Sequence, residues 1–157
     1  WHPKGHLSFA SSHPGTKPFE TIAVPYGMQE LWPDHCIQGS HGAEFRNDLA
    51  IAKAELIIRK GFHPQIDSYS AFRENDRVTR TGLGGYLRER GLRRIFIAGL
   101  ALDFCVRYSA EDAQQEGFAA IVIEDACAAI DVAGSLVATW ASFQEFGIRT
   151  VHSRDIG

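Results

Sequence analysis

Cysteine is scarce in this chain. Cys36, Cys105 and Cys127 are three in 157 residues, too few and too scattered for a disulfide framework. Their odd number fits free thiols in a reducing cytoplasm. Long apolar runs are missing: none approaches the roughly 20 residues that span a bilayer, and no secretory signal opens the chain. Neither a membrane nor an export route is therefore expected. Basic runs are missing too, and with a formal net charge of −3 the chain lacks the electrostatic footprint of a nucleic-acid binder. There is no internal repeat and no low-complexity stretch. What remains, 45% hydrophobic and 22% charged, suits one globular domain of 157 residues with a sizeable core.

The C-terminal two thirds alternate strand and helix. Glu55–Arg59 is a short apolar run that reads as a strand. Thr81–Arg90 carries Leu83, Tyr86 and Leu87 at helical spacing and stops at Gly91. Arg94–Ala98 reads as a buried strand, Cys105–Glu116 as a helix closed by Gly117, and Ala119–Ile123 as a further strand. Ser135–Phe146, with Leu136, Val137, Trp140 and Phe143, is an amphipathic helix ended by Gly147, and Ile148–His152 is the last strand. Single helices between strands imply right-handed crossovers and a mostly parallel sheet, hence a three-layer α/β/α sandwich. Residues 1–53 differ: they hold most of the prolines, five of the seven histidines and two of the three tryptophans. A loop-rich segment of that content within the single domain is suited to building a site.

In open parallel sheets, ligands bind beyond the carboxyl ends of the strands. Lys60 follows one expected strand and Cys105 another. At a shared sheet edge, the ammonium would favour the thiolate, as would a helix N-terminus. An exposed lysine and an inert buried cysteine are the plainer alternative. Asp103, two residues before Cys105, reads as a helix-entry hydrogen-bond acceptor rather than a base for its neighbour. His2, His6 and His35 offer imidazoles suited to Zn, Fe or Mn, with Asp34, Cys36 and Glu44 as further candidates, although the spacing alone is a weak signal. His13, His41 and His63 read as loop residues and His152 as structural.

Four stretches sharpen this reading: WHPKGHLSFASSHPG, LWPDHCIQGSHGAEF, IIRKGFHPQIDSYSAF and GLALDFCV. Together, and in this order over almost the whole chain, they resemble the nicotinamidases among the isochorismatase-like cysteine hydrolases. The resemblance implies Cys105 as nucleophile, Lys60 as catalytic lysine, and the N–H groups of Ala101 and Cys105 as oxyanion donors, with a cis peptide between Leu100 and Ala101. It implies His2 and His35 as ligands of one divalent transition metal ion (Zn, Fe or Mn), with His6 close by. Trp32, Tyr69 and Leu100 fall at substrate-facing positions, with ordinary packing an equal reading for Tyr69. Leu102 stands where the family often has Thr. The family's catalytic aspartate and a further metal-binding aspartate would precede Trp1, so residues 1–157 are expected to be the larger C-terminal part of a longer protein and inactive alone. The implied reaction is hydrolysis of nicotinamide, and by shape pyrazinamide, in the cytoplasm, with a homo-oligomer allowed. Rival readings are another small amide or carbamoyl substrate, isochorismate hydrolysis, and a non-catalytic metal- or nicotinamide-binding module.

Overall fold

The computed structural model describes residues 1–157, which divide into two compact units, Trp1–Asp67 and Ser68–Gly157. No helix is long and apolar enough to cross a membrane.

The first unit is mostly loop. Its regular element is a hairpin of β1 (Thr21–Val24) and β2 (Gly27–Glu30), paired antiparallel from Thr21↔Glu30 to Val24↔Gly27. Pro25 presets the negative φ that the first central position of a type I or II turn takes. The hairpin was not legible in the sequence. Phe9 and Leu31 are fully buried, with Trp32 nearly so. The strand expected at Glu55–Arg59 does not form: the stretch has no regular structure, and Leu56 and Ile57 are 41% and 50% exposed. A strand exists only where its N–H and C=O groups find a ladder partner, and no strand of residues 1–157 pairs with this run. The inference that Lys60 ends a strand falls with it.

The second unit has the expected α/β pattern. Helix α1 (Leu83–Glu89) precedes β3 (Arg94–Leu100); a π-turn over Leu102–Val106 leads into α2 (Arg107–Gln115); β4 (Ala119–Ala128), α3 (Ser135–Glu145) and β5 (Arg149–Val151) follow. The three strands form one parallel sheet in the order β3-β4-β5. Registers Ile95↔Ala120 and Ile97↔Val122 put four apolar side chains on one face. They join a core with Leu87 of α1, Val106, Ala110 and Ala113 at and within α2, Phe118, and Phe143 of α3. Between Ile97 and Gly99 the register slips, so that Gly99 faces Cys127 and three residues of β4 bulge out. Gly99 has φ +127°, a conformation open to glycine and hardly any other residue.

Electrostatics hold α2 to α1 and to the segment before it. Glu116, just past α2, accepts from Arg73, Arg80 and Arg88 at 2.9–3.0 Å, and Asp112 accepts from Arg77 at 2.6 Å. Burial opposes ionisation of Glu116, but its bonds to Arg88 and Arg73 and the charge of Arg80 outweigh it, so the carboxyl titrates below its usual 4.5. A depressed folded value means stability that is present above the unfolded value and lost as pH falls through the folded one. The unfolding free energy of the wild type minus that of Glu116→Gln, from urea titrations, is therefore expected to be constant above about pH 5 and to shrink on acidification. A difference independent of pH would show that the arginines do not hold the charged form.

Candidate active site and metal centre

Cys105 sits where β3 gives way to α2. The chain leaves β3 through a cis peptide between Leu100 and Ala101, then enters a single π-turn in which Val106 N–H reaches back five residues to the Ala101 carbonyl (3.1 Å). The helix expected from Cys105 onward thus begins as α-helix only at Arg107, and Cys105 lies in the wider turn before it. Turns of this kind recur at functional sites because they displace a side chain from the regular helical path. Cys105 and Ala101 are half-buried and Leu100 is 73% exposed. The Cys105 carbonyl accepts the Ser109 hydroxyl at 2.6 Å, and the same hydroxyl accepts the Ala71 N–H at 2.8 Å. That bridge brings the segment containing Tyr69 to the π-turn, where the Tyr69 ring lies 5.6 Å from Phe104 and 5.4 Å from Tyr108.

Asp103 is a helix-entry acceptor, though not for its own helix. Its carboxylate, 1% exposed, accepts the N–H groups of Ile130 and Asp131 (3.0 and 2.8 Å) and the Ser135 hydroxyl (2.6 Å) at the start of α3. Burial would raise its pKa, yet these three donors hold it below the usual carboxylate value.

In the Trp1–Asp67 unit, the rings of His2, His6 and His35 pack around Phe9 at 5.4–5.6 Å. His2 lies 4.3 Å from His6 and 4.9 Å from His35. The hydrogen bonds of the three rings separate their roles. His6 Nε2 faces the carbonyls of His63 and Ile66 (2.9 and 3.2 Å), so it carries the proton and donates. Its Nδ1 accepts the Ser8 N–H (3.2 Å) and lies 2.8 Å from the Ser8 hydroxyl. Both nitrogens of this fully buried ring are occupied. Burial lowers its pKa, partly offset by Asp67. His2 is the opposite case: its buried Nδ1 has no hydrogen-bond partner. Burial, then the charge of the Trp1 amino group and the neighbouring His6 and His35 rings, lower its pKa to about 3, which keeps it neutral. His35 is exposed and places Nδ1 2.9 Å from the Pro33 carbonyl. That carbonyl only accepts, so Nδ1 is protonated and Nε2 keeps a lone pair. An outer nitrogen bonded to a carbonyl while the other stays basic is the usual arrangement of a metal-ligating histidine.

Lys60 is half-buried in the irregular stretch before Gly61. Gly61 has φ +69°, and a Cβ there would lie 2.6 Å from His2 Cε1, so glycine is what lets the backbone pass beneath the ring. Trp32 is buried with Phe19 edge-on at 6.0 Å. Asp67 was not singled out in the sequence. It is 2% exposed, accepts Gln29 Nε2 at 2.9 Å, and forms with His2 and His6 a buried group whose ligand atoms lie within 4.8 Å of one another.

The model of the isochorismatase domain matches residues 16–155. The chain belongs to the isochorismatase family. It is 54% identical to the nicotinamidase of Acinetobacter baylyi over 156 residues, which cover 99% of this chain and 73% of that protein. Among solved structures, a nicotinamidase–pyrazinamidase from Acinetobacter baumanii superposes with a TM-score of 0.97 at 56% identity, covering all of this chain and 76% of that one. The zinc complex of the Pyrococcus horikoshii pyrazinamidase matches with a TM-score of 0.72 at 31% identity, over 97% of this chain and 71% of its own. The parallel α/β architecture expected from the sequence is thus that of the isochorismatase fold.

For this isochorismatase-family chain, the hydrogen bonds sort the histidines in a way that can be measured. His6→Ala removes the donor to the His63 and Ile66 carbonyls and the acceptor of the Ser8 N–H, and is expected to lower stability by about 2–4 kcal/mol. His2→Ala loses no bond at Nδ1 and should cost less. Thermal unfolding of both variants checks the order, and a reversed order would contradict the roles assigned to the two rings.

Proposed function

We propose that the protein hydrolyses nicotinamide to nicotinate and ammonia, and pyrazinamide by the same route, through a thioester on Cys105. The observation that carries this reading is the placement of Cys105, half-buried, in the π-turn between β3 and α2. The identity to proteins described as nicotinamidases supports it. An aromatic amide resists direct attack by water, and a covalent intermediate divides the barrier into two lower ones. The Cys105 sulfur adds to the carboxamide carbon, ammonia leaves, and water then cleaves the thioester to release the acid and restore the thiol. Lys60 supplies positive charge to the reacting groups, and the N–H groups of Ala101 and Cys105 receive the developing oxyanion. The base is the aspartate that the family resemblance places ahead of Trp1. Tyr69, Trp32 and Leu100 are assigned to the walls that hold the heteroaromatic ring.

His2 and His35 are the residues of this chain assigned to one divalent transition metal ion, Zn, Fe or Mn, joined by a second upstream aspartate. The unpartnered Nδ1 of His2 and the lone pair of His35 Nε2 fit a cation of this class. Such an ion supplies a Lewis-acid anchor for a ring nitrogen of the substrate, and so fixes where the carboxamide lies. His6 is assigned to support rather than to ligation, because both its nitrogens are in use. Three free thiols support the cytoplasm as the place of action.

Ammonia release from nicotinamide by the full-length protein, of which residues 1–157 are expected to be the larger part, tests the reading. Cys105→Ala is expected to lower turnover at least about 10³-fold, and Lys60→Ala about 10²-fold or more. Turnover that survives in Cys105→Ala would overturn the thioester route. Independently of activity, the metal content of the purified protein by plasma emission should fall in His2→Ala and in His35→Ala. A wild-type metal content in either variant would remove that residue from the ligand set.

A further inference from the structure

The π-turn that carries Cys105 is fastened at both ends by groups without a part in the chemistry above. Downstream, Ser109 donates to the Cys105 carbonyl. Upstream, Asp103 reaches across to the loop between β4 and α3. That loop is unusual in its backbone: Asp131 and Ala133 have φ +58° and +51°, left-handed values that non-glycine residues seldom adopt. Two consecutive N–H groups of the loop, those of Ile130 and Asp131, converge on one carboxylate, and so does the Ser135 hydroxyl. The Ser135 hydroxyl in turn accepts the Val132 N–H at 2.9 Å, so a single chain of bonds fixes the loop from residue 130 to the first residue of α3. Registers Gly99↔Cys127 and Leu100↔Ala128 run this loop out beside the end of β3. The carboxylate is therefore set into a frame made by β4 and α3, elements far away in sequence.

We infer that Asp103 is a positioning residue for Cys105: it locks the π-turn to the β4–α3 loop and thereby sets where the sulfur stands relative to the Ala101 and Cys105 N–H groups. The inference rests on Cys105 being the nucleophile. An ionised carboxylate suits the task because it accepts all three bonds at once, whereas a side-chain amide offers one acceptor and turns a donor toward donors. Charge-assisted bonds of this kind are also shorter and stiffer than neutral ones. A displacement of about 1 Å at a reacting centre costs on the order of 10²-fold in rate, so loss of the lock should appear in the chemical step rather than in substrate binding.

The test is steady-state ammonia release from nicotinamide by the full-length protein, expressed per Cys105 thiol labelled by iodoacetamide and counted by peptide mass spectrometry. The count is made on protein that co-elutes with the wild type in size-exclusion chromatography and matches its far-UV circular dichroism, because an unfolded chain also exposes Cys105 to the reagent. Asp103→Asn is expected to lower kcat per labelled thiol by about 10–100-fold with KM changed less than about twofold. Ser135→Ala, which deletes one of the three bonds and keeps the carboxylate, should lower it by a smaller factor in the same direction, and it decides the matter if Asp103→Asn does not fold. An unchanged kcat per labelled thiol would reduce Asp103 to a stabilising residue and overturn the inference. Turnover retained by Cys105→Ala would instead overturn the nucleophile on which the inference stands.

Discussion

The parallel pairing of β3 with β4 is the constraint on which the rest of the Ser68–Gly157 unit depends. Its first part is regular, from Arg94↔Ala119 to Ile97↔Val122, and it fixes the face that receives the helices. Its second part is not. The slip before Gly99 lets β4 run on to Ala128 while β3 ends at Leu100. A parallel strand cannot turn back tightly; it must hand the chain to a crossover helix. Here the handover occupies Ala101–Val106, and Cys105 is placed in it. The core formed by Val106, Ala110, Val122 and Phe143 keeps α2 and α3 against the sheet, so that the handover has two rigid flanks.

Most of this unit was legible because its signals are local. Leu83, Tyr86 and Leu87 repeat at helical spacing, Gly91, Gly117 and Gly147 stand just past the helices with φ +65° to +87°, and Arg94–Ala98 and Ala119–Ile123 are apolar runs bounded by such breaks. What was not legible depends on partners remote in the chain. The run Glu55–Arg59 has strand-like composition and no ladder to join. The β1–β2 hairpin has short strands whose alternation is too brief to stand out. The π-turn differs from a regular helix start by one extra residue per turn, which leaves the apolar spacing of so short a segment ambiguous. Cys105 and Lys60 were singled out by their places after expected strands and by motif, and Asp103 was half-read: an acceptor at a helix entry, but for a helix that begins 32 residues later.

The histidine cluster shows the same division. Motif resemblance singled out His2 and His35 and placed His6 nearby, without a reason internal to the sequence for treating them differently. That reason is the backbone of residues 63–66, whose carbonyls accept a hydrogen bond from His6 Nε2–H, and it comes from a stretch some 60 residues away. Asp67 escaped notice because its partners, Gln29 and the His6 ring, are equally remote.

These details bear on why the cluster is buried at all. Packing His2 and His6 against Phe9 removes them from water, which disfavours their charged forms. A neutral imidazole that donates its N–H to a carbonyl at one nitrogen is a lone-pair donor at the other. His35 achieves this at the surface through Pro33. His2 achieves neutrality through burial, and its Nδ1 would otherwise be a cost without return, since an unsatisfied buried nitrogen destabilises a fold by about 1–3 kcal/mol. A chain that retains such an atom beside a glycine whose missing Cβ makes room for the ring is arranged for something other than stability. A cation is the group that would use both the lone pair and the neutrality, and His6, tied on both sides, then serves as the wall that keeps His2 in place.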